Sequence, residues 1–394
     1  MSAQDVPDTL GQLLDEVVAP VLGRLRQSYR FEGEPGTKLQ FLFPDRRAFD
    51  HAFVFRDDGV DVEPGGSGAR DAIDTTLASY LEFFESRISF ANLVMLGRWR
   101  AHDRPADDLF AFLPLQPGLT ALTRGLPPFP LLEDPATLTA RVEARARALP
   151  RIDAVDRVPG LDRETFFRTY ADPGRPVVMT GTTGHWEPFD WTWAGFRSLY
   201  AGLPYYVEGL GGLILPSAAD LIRQIEENRA GHAAKIGLPI SDGLQRYYRL
   251  PAYFAAERYF RKSQAVLVSA PSLRTPTVWH RDMADNFLLQ LIGRKRVEIC
   301  SPDESACFYL QSLPPTDANV PFDASAMDPL RPDPAVHPRF RDAHVIDCVI
   351  EPGDILYLPC GWLHTVHQVT PSVSINAWLH HPPAALAAPG VPAA

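Results

Sequence analysis

Two residues of the segment TVWHRD, His280 and Asp282, have the types and the spacing of a metal site. The segment has the composition of a strand, and side chains at positions i and i+2 of a strand project from the same face. His364 follows another strand-like segment and a short loop, and it is the candidate for a third ligand. Two imidazoles and one carboxylate are typical of a facial triad, which holds non-heme Fe(II) and leaves other metal positions open.

Other interpretations of these residues compete with a metal site. His280 and Asp282 could form an ordinary surface ion pair, and His364 could be a hydrogen-bonded core histidine. The triplet HRD also occurs in protein kinases, where an Asn follows the Asp by five positions, whereas Asn286 lies four positions after Asp282. The chain also lacks the glycine-rich loop, VAIK and DFG motifs of kinases, so the sequence argues against a kinase.

Lys295 is the candidate partner for an anion near this site. It lies fifteen residues after His280, where the second strand of a hairpin would return towards the same cavity. Only four of the 38 basic residues are lysines, so a lysine here indicates a compact ammonium charge rather than a guanidinium. A charge-assisted hydrogen bond to a carboxylate is worth about 1.5 to 3 kcal/mol. The alternative is a chance surface lysine.

Composition and charge limit the partners. The chain has 394 residues, 45% of them hydrophobic, which is enough for two or three domains with at least one substantial core. Its formal net charge of −10 argues against nucleic acid or anionic lipid as a partner. We find no signal-peptide pattern and no apolar run approaching about 18 residues, and therefore expect a cytoplasmic protein that does not contact a membrane. The four cysteines have no CxxC spacing, which favours a reducing compartment over a disulfide.

The first part of the chain, residues 1–125, is predicted to be a small accessory α+β domain. Leucines and valines at three- and four-residue steps predict an amphipathic helix over 8–28, with Asp8 as N-cap and a kink or break at Pro20. Strand-like segments and a further helix over 78–87 follow.

A larger second domain is predicted over residues 151–382, after a linker with a short helix at 126–150. From about residue 262, strand signals follow one another with turn signals between them, which predicts hairpins that close a sandwich or a barrel. The tail, 383–394, is predicted to be disordered.

The block HRDMADNFLLQLIGRKRVEICSPDE resembles the HxD-to-lysine block of the cupin-like JmjC oxygenases, particularly the factor-inhibiting-HIF type of asparaginyl hydroxylase. EPGDILYLPCGWLH is similar to their second metal block, and the segments RPVVMTGTTGHWEP and SVSINAWL are similar to their opening segment and closing strand. The resemblance covers about residues 150–381. We therefore predict the α+β class, with a double-stranded β-helix (the jelly-roll of cupins) and flanking helices after the small N-terminal α+β domain.

The resemblance also implies the site. It implies Fe(II) as the metal, with 2-oxoglutarate and O₂ as cosubstrates, and His280, Asp282 and His364 as the iron ligands. Lys295 would bind the distal carboxylate of 2-oxoglutarate. Further polar side chains are implied in the cosubstrate pocket, with simple strand polarity as the alternative; these are Thr277, Asn286, Asn376 and a tyrosine of LQRYYRLPAYF, for which Tyr247 is preferred to Tyr248.

Two neighbours of the triad are predicted to have structural roles. Trp279 directly precedes His280 and so projects from the opposite face of the strand, where we expect it to pack. His367 follows His364 by three residues, so we expect it to form hydrogen bonds outside the ligand set.

The implied activity is that of an Fe(II)- and 2-oxoglutarate-dependent dioxygenase that hydroxylates a C–H bond, with a peptide or protein side chain favoured over a small molecule as substrate. Demethylation stays an alternative reaction. Alternatives of other classes are a metal-binding cupin without oxygenase activity and a lipid carrier, because the N-terminal domain resembles the sterol-carrier-protein fold. The other expected roles of that domain are formation of a homodimer, substrate capture or a lid.

Overall fold

The computed structural model describes most of the chain. The apolar segment near residue 110 and the predicted disordered tail, 383–394, lie outside the described residues. The described residues are 6–26, 29, 31, 33–65, 72–85, 90–96, 98–103, 115–126, 135–181, 183–184, 186, 189–203, 205–207, 213–215, 217–228, 235–249, 253, 261–271, 277–313 and 322–380. Within these ranges no helix is both long enough and apolar enough to cross a membrane.

Nine helices are numbered in chain order over these residues. The first, α1, consists of Leu10–Gln12, a π-helical Leu13–Val18 and Ala19–Leu25. The others are α2 (Leu77–Phe84), α3 (Phe90–Met95), α4 (Gln116–Gly125), α5 (Pro135–Arg147), α6 (Arg163–Phe166, continued by a π-helical Phe167–Ala171), α7 (Trp193–Ser198), α8 (Ala218–Glu226) and α9 (Asp242–Tyr247). Short 3₁₀ helices lie at Arg47–Phe49, Pro302–Cys307 and Pro338–Asp342.

Twenty strands are described. They are β1 (Lys38–Leu42), β2 (His51–Phe55), β3 (Val60–Pro64), β4 (Ala72–Asp74), β5 (Arg100–Ala101), β6 (Asp156–Pro159), β7 (Val177–Thr180), β8 (Tyr205–Val207), β9 (Leu213–Leu215), β10 (Lys235–Leu238), β11 (Arg261–Ser269), β12 (His280–Asp282), β13 (Asp285–Ile292), β14 (Lys295–Cys300), β15 (Leu310–Leu313), β16 (Phe322–Ser325), β17 (Ile346–Ile350), β18 (Ile355–Leu358), β19 (Leu363–Gln368) and β20 (Ser372–His380).

The chain divides into two compact units. One is Met1–Pro130 with Ala201–Ala218, and the other is Leu131–Tyr200 with Ala219–Ala394. This division differs from the predicted boundaries at two places. Helix α5, predicted within a linker, groups with the second unit, and the segment Ala201–Ala218, predicted in the second domain, groups with the first.

The first unit is a small α+β fold, as its strand and helix signals predicted. Its five-stranded sheet has the order β3-β2-β1-β4-β5, and helices α1 to α4 contribute to the same apolar core. The centre of that core is aromatic, because the ring of Phe41 contacts Tyr80 and Trp99 edge-on at 5.1 Å and 5.2 Å. The resemblance to a sterol carrier stays a prediction.

Helix α1 corrects one detail of the sequence analysis. Its N-cap is Thr9, not Asp8, because the Thr9 hydroxyl accepts the backbone N–H of Gln12 and the Gln12 side chain accepts the backbone N–H of Thr9. The helical run continues across Pro20 from Leu10 to Leu25, so the predicted split is wrong, and the predicted kink stays a prediction. The π-helical stretch Leu13–Val18 ends two residues before Pro20, and a wider turn of this kind is a usual way for a helix to lose its regular hydrogen bonds without ending.

The second unit contains two antiparallel sheets that face each other. The seven-stranded sheet has the order β10-β11-β20-β13-β18-β7-β6, and the six-stranded sheet has the order β15-β16-β12-β19-β14-β17. All strand pairs within them are antiparallel except β6 with β7. One apolar cluster draws on both sheets; it contains Val178, Leu288, Leu356 and Leu358 from the first, and Val297, Ile299, Ile346, Cys348, Ile350 and Val366 from the second. This arrangement is the predicted double-stranded β-helix.

The hairpin between β13 and β14 fixes where Lys295 enters the cavity. Gly293 has φ of 73°, and a Cβ there would lie 2.0 Å from the carbonyl oxygen of Pro371. Only glycine fits such a position. The buried Gln290 side chain donates hydrogen bonds to the carbonyl oxygens of Ile292 and Gly293 and so stabilises the same turn.

Candidate metal centre

Strands β12 and β19 bring the three predicted ligands together. His280 lies directly opposite His364 in this antiparallel pair, and Asp282 follows two residues later on the same face. The ligand atoms of the three side chains all lie within 4.8 Å of one another. The two imidazole centroids are 4.1 Å apart, and His364 Nε2 lies 3.8 Å from Asp282 Oδ2. The predicted convergence is confirmed, and iron as the bound metal stays a prediction.

The backbone orients both imidazoles. Nδ1 of His280 lies 2.8 Å from the carbonyl oxygen of Val278, and Nδ1 of His364 lies 3.1 Å from that of Trp362. A carbonyl oxygen only accepts, so Nδ1 of each ring carries the proton and donates it. The lone pair is then on Nε2 of each ring, as a metal ligand requires.

Burial keeps His280 neutral at physiological pH. Desolvation is the largest cause, and the neighbouring His364 adds to it, so that the pKa of His280 is lowered to about 4. Asp282 opposes this shift without cancelling it. Because a metal binds only the unprotonated ring, the site is ready for ligation without losing a proton from His280 near pH 7.

Two donors hold the Asp282 carboxylate in place. Asn286 Nδ2 donates to Asp282 Oδ2 at 2.8 Å, and Trp378 Nε1 donates to the same oxygen at 3.0 Å. Asn376 in turn donates to the Asn286 side-chain oxygen at 3.3 Å. The predicted pocket residues Asn286 and Asn376 therefore form a chain of hydrogen bonds that ends on the triad. Their contact with a cosubstrate stays a prediction.

Trp378→Phe tests this support. The substitution keeps an aromatic ring, although a smaller one, and removes one of the two donors to Asp282 Oδ2. Partners that orient a ligating carboxylate typically contribute 10- to 100-fold to metal affinity, so we expect the Kd for Co(II) or Mn(II) to rise at least about tenfold. Metal titration followed by fluorescence or calorimetry measures it. An unchanged Kd would show that Asn286 alone positions the carboxylate.

A buried carboxylate fixes the loop that carries His364. Asp285 accepts hydrogen bonds from the Tyr357 hydroxyl and the Cys360 backbone N–H, both at 2.8 Å. The next residue, Gly361, has φ of 86° and donates its N–H to the backbone carbonyl oxygen of Asp282 at 2.9 Å. This loop is therefore hydrogen-bonded to β12, and it lies directly before β19, the strand that contains His364.

Lys295 lies in the interior between the two sheets. Its side chain is 2% exposed, and its ammonium donates to the Ser374 hydroxyl on β20. Burial lowers the pKa of Lys295 to about 7, and the charge of Lys235 is a second, smaller cause in the same direction. An ammonium group that carries so little hydration and has a hydroxyl as its partner favours an added anion strongly.

The other predicted cosubstrate residues are placed less directly. The Thr277 hydroxyl accepts the backbone N–H of Val366 at 2.8 Å, next to the strand pair that contains Lys295. The Tyr247 ring, on α9, packs on Phe189 with centroids 4.4 Å apart. Tyr248 is buried against Trp186, and burial raises its pKa far above the usual value. The contacts described for Tyr247 and Tyr248 do not join them to Lys295, so the tyrosine assignment stays an untested prediction.

The neighbours of the triad have the structural roles expected. Trp279 is 1% exposed and packs in a cluster with Phe308 and Leu363 on the face opposite the ligands. His367 lies 2.8 Å from the Glu298 carboxylate, outside the ligand set.

A comparison with protein families identifies this part of the chain. Residues 248–385 match the family model described as a cupin-like domain. This segment is a cupin-like domain. The match contains the triad, Lys295, Thr277, Asn286 and Asn376, so the predicted resemblance and the jelly-roll fold are confirmed for the region that carries the site.

Proteins similar to this chain extend the comparison. A Danio rerio protein named tRNA wybutosine-synthesizing protein 5 is 30% identical over 179 residues, which are 45% of this chain and 46% of that protein. A Xenopus tropicalis protein named lysine-specific demethylase 8 is 25% identical over 262 residues, which are 62% and 58% of the two chains. The chain thus spans about half the length of the curated relatives it matches. The solved structure of YcfD, a ribosomal oxygenase from Escherichia coli, in complex with cobalt and succinic acid aligns with a TM-score of 0.31 at 16% identity, over 57% of this chain and 52% of that one.

The donor set of the cupin-like domain fits a divalent transition metal. Two neutral imidazoles and one carboxylate on one side of a cavity are the ligands of a facial triad, which suits Fe(II) and leaves the opposite side for other ligands. Each ligand side chain also has hydrogen-bond partners that orient it. Backbone carbonyl oxygens accept from the two imidazole rings, and two N–H groups donate to the carboxylate.

Three residues that the sequence analysis did not assign act on this site: Ser374 accepts from Lys295, Trp378 donates to Asp282, and the charge of Lys235 acts on Lys295. Ser374 and Trp378 lie two residues before and after Asn376 on β20, so the period-two pattern of a strand could have found them. The third, Lys235, lies on β10 and precedes the segment that matches the family model. The signal it gave was its residue type, since the chain contains only four lysines.

Proposed function

We propose that this chain is an Fe(II)- and 2-oxoglutarate-dependent dioxygenase that hydroxylates a C–H bond on a peptide or protein side chain. The observation that carries the proposal is the convergence of His280, Asp282 and His364 within 4.8 Å of one another. The buried Lys295 ammonium in the same interior supports 2-oxoglutarate as the cosubstrate, because a dicarboxylate can reach a metal with one end and an ammonium with the other.

The residues of this chain would divide the work as follows. His280, Asp282 and His364 hold Fe(II) on one side, and Lys295 orients the keto acid by its distal carboxylate. The bound iron supplies the redox chemistry with O₂, in which 2-oxoglutarate becomes succinate and CO₂ and the remaining oxygen atom enters the substrate C–H bond. The apolar cluster behind the polar residues excludes water from the reacting groups.

Charge supports a dianionic cosubstrate. A divalent metal, the Asp282 carboxylate and the Lys295 ammonium together leave two positive charges, and the Lys235 charge that acts on Lys295 adds to them, so the two carboxylates of 2-oxoglutarate neutralise most of the positive charge. Neutralisation matters because an uncompensated charge inside a protein is costly. A neutral or monoanionic ligand would leave part of this charge unpaired.

The substrate class is argued from charge and from the relatives. One relative is named as a lysine-specific demethylase and another as a tRNA wybutosine-synthesizing protein. A formal net charge of −10 disfavours the phosphate backbone of RNA, so a peptide or protein side chain is the better candidate.

The test measures turnover and product together. The protein, loaded with Fe(II) and given 2-oxoglutarate and O₂, is incubated with a peptide library, and succinate and peptide masses are followed by mass spectrometry. We expect succinate to form and some peptides to gain the mass of one oxygen atom. Succinate with loss of a methyl group would identify a demethylase. No succinate under any condition would contradict the proposed chemistry.

A further inference from the structure

Lys235 faces the same interior as the triad and Lys295. On β10 it lies directly opposite Ser269 of β11, and Ser269 lies directly opposite Ser372 of β20. Directly opposed residues of antiparallel strands project from the same face. Ser374, the hydrogen-bond partner of Lys295, follows Ser372 by two residues and therefore shares that face.

Side-chain contacts connect the residues of this face to Lys295. The Ser269 hydroxyl donates to the Gln368 side chain on β19 at 2.9 Å, which joins the two sheets. Gln368 is the direct cross-strand neighbour of Lys295. Lys235 and Lys295 therefore project towards the same interior from facing sheets and are connected by a short series of adjacent residues.

The pattern of β10 agrees with this direction. Ile236 and Leu238 are buried, whereas Lys235 and Gly237 are exposed. One face of the strand is therefore packed, and the face with Lys235 is open to solvent. Lys235 is exposed to solvent, yet desolvation by surrounding protein lowers its pKa. A side chain at the mouth of a pocket is both exposed to solvent and surrounded by protein, and the register with β11 places Lys235 on the interior face of its sheet.

Among the residues that the structure describes, the Lys235 ammonium has no fixed partner. The described residues supply it with neither a hydrogen bond nor an ion pair, whereas Lys38, another of the four lysines, pairs with Glu63 at 2.6 Å. Lys235 acts on its surroundings electrostatically, because its charge helps to lower the pKa of Lys295 and Asp282 acts on Lys235 in turn. Two like charges that share one cavity repel each other unless an anion lies between them.

We propose that Lys235 is a second ammonium anchor for the cosubstrate, holding the distal carboxylate of 2-oxoglutarate together with Lys295. The inference rests on the proposed function, because it assumes that the cavity takes a 2-oxo dicarboxylate. Lys235 would then fill the place that the sequence resemblance gave to Tyr247, whose ring packs on Phe189. A carboxylate has two oxygens and can accept from two ammonium groups at once.

Binding of two keto acids to Lys235→Met tests the proposal without turnover. The protein is loaded with Mn(II), and the Kd values of 2-oxoglutarate and 2-oxobutyrate are measured by calorimetry; 2-oxobutyrate has the metal-binding end but lacks the distal carboxylate. We expect Lys235→Met to raise the Kd of 2-oxoglutarate at least about tenfold and to change the Kd of 2-oxobutyrate less than about twofold. Lys235→Arg, which keeps the charge, should recover part of the 2-oxoglutarate affinity.

Lys38→Met is the matched control, since it removes the same charge from the first unit and should change neither Kd. A 2-oxoglutarate Kd that stays within about twofold in Lys235→Met, or an equal loss for both keto acids, would overturn the inference while the proposed function stands. Failure of the unmodified protein to bind 2-oxoglutarate with Mn(II) would instead overturn the proposed function and the inference together. Melting temperatures of the variants identify any loss of binding that unfolding causes. If Lys235→Met is unfolded, the Kd of 2-oxoglutarate for Lys235→Arg decides the result.

Discussion

Asp282→Ala is expected to abolish both metal binding and succinate formation. The substitution removes the only carboxylate of the triad and leaves the Asn286 amide and the Trp378 indole without their acceptor. Loss of residues that merely orient a ligand costs 10- to 100-fold, so loss of the ligand itself should reduce turnover to below about one-hundredth. Titration with Co(II) and an assay of succinate measure the two effects separately.

His367→Ala is the matched control for this prediction. It removes an imidazole from the same strand as His364, but one that contacts Glu298 rather than the triad. We expect it to bind metal and turn over 2-oxoglutarate like the unmodified protein, with at most a small loss of stability. Asp282→Ala with normal turnover, or His367→Ala with none, would contradict the assignment of the ligands.

Lys295→Met should weaken 2-oxoglutarate binding by about 10- to 150-fold. The range follows from the 1.5 to 3 kcal/mol of a charge-assisted hydrogen bond, at about 1.4 kcal/mol for each factor of ten. Methionine has nearly the same length and shape, so the buried space between the sheets stays filled. Calorimetry with Mn(II)-loaded protein gives the Kd. A Kd within twofold of the unmodified protein would exclude Lys295 as the carboxylate partner.

The pH dependence of this binding follows from the same ammonium. The pKa of Lys295 is lowered to about 7, so the group is increasingly neutral above that pH, while a carboxylate binds only its charged form. The Kd of 2-oxoglutarate should therefore rise as pH increases from 7 to 9, by at most about tenfold per pH unit. Lys295→Met should lose this dependence. A Kd that falls with rising pH would contradict the role of the ammonium.

Much of the candidate site could be predicted because its signals are local. The i and i+2 spacing of His280 and Asp282 on a strand determines that they share a face, whatever the rest of the fold does. Buried strands such as β13 and β18 could also be predicted, because their apolar residues lie between turn signals. The exact opposition of His280 and His364 was not local, because it depends on how β12 and β19 pair across more than eighty residues of chain.

The misses have physical reasons too. Asp8 and Thr9 are both good N-caps, and the choice depends on the reciprocal bond with Gln12, which sequence alone ranks poorly. Lys235 was overlooked because its strand is short and lies at the edge of its sheet, where only the register with β11 shows which way the side chain projects. The choice between Tyr247 and Tyr248 stays a prediction, because the contacts described for the two rings are with Phe189 and Trp186 and do not reach Lys295.

Anomalous diffraction from crystals grown with Mn(II) and 2-oxoglutarate tests the central claim most directly. The account predicts one metal peak bonded to His280, Asp282 and His364, with the keto acid on its open side and the distal carboxylate at Lys295. A metal bound elsewhere, or a dicarboxylate that does not reach Lys295, would contradict it.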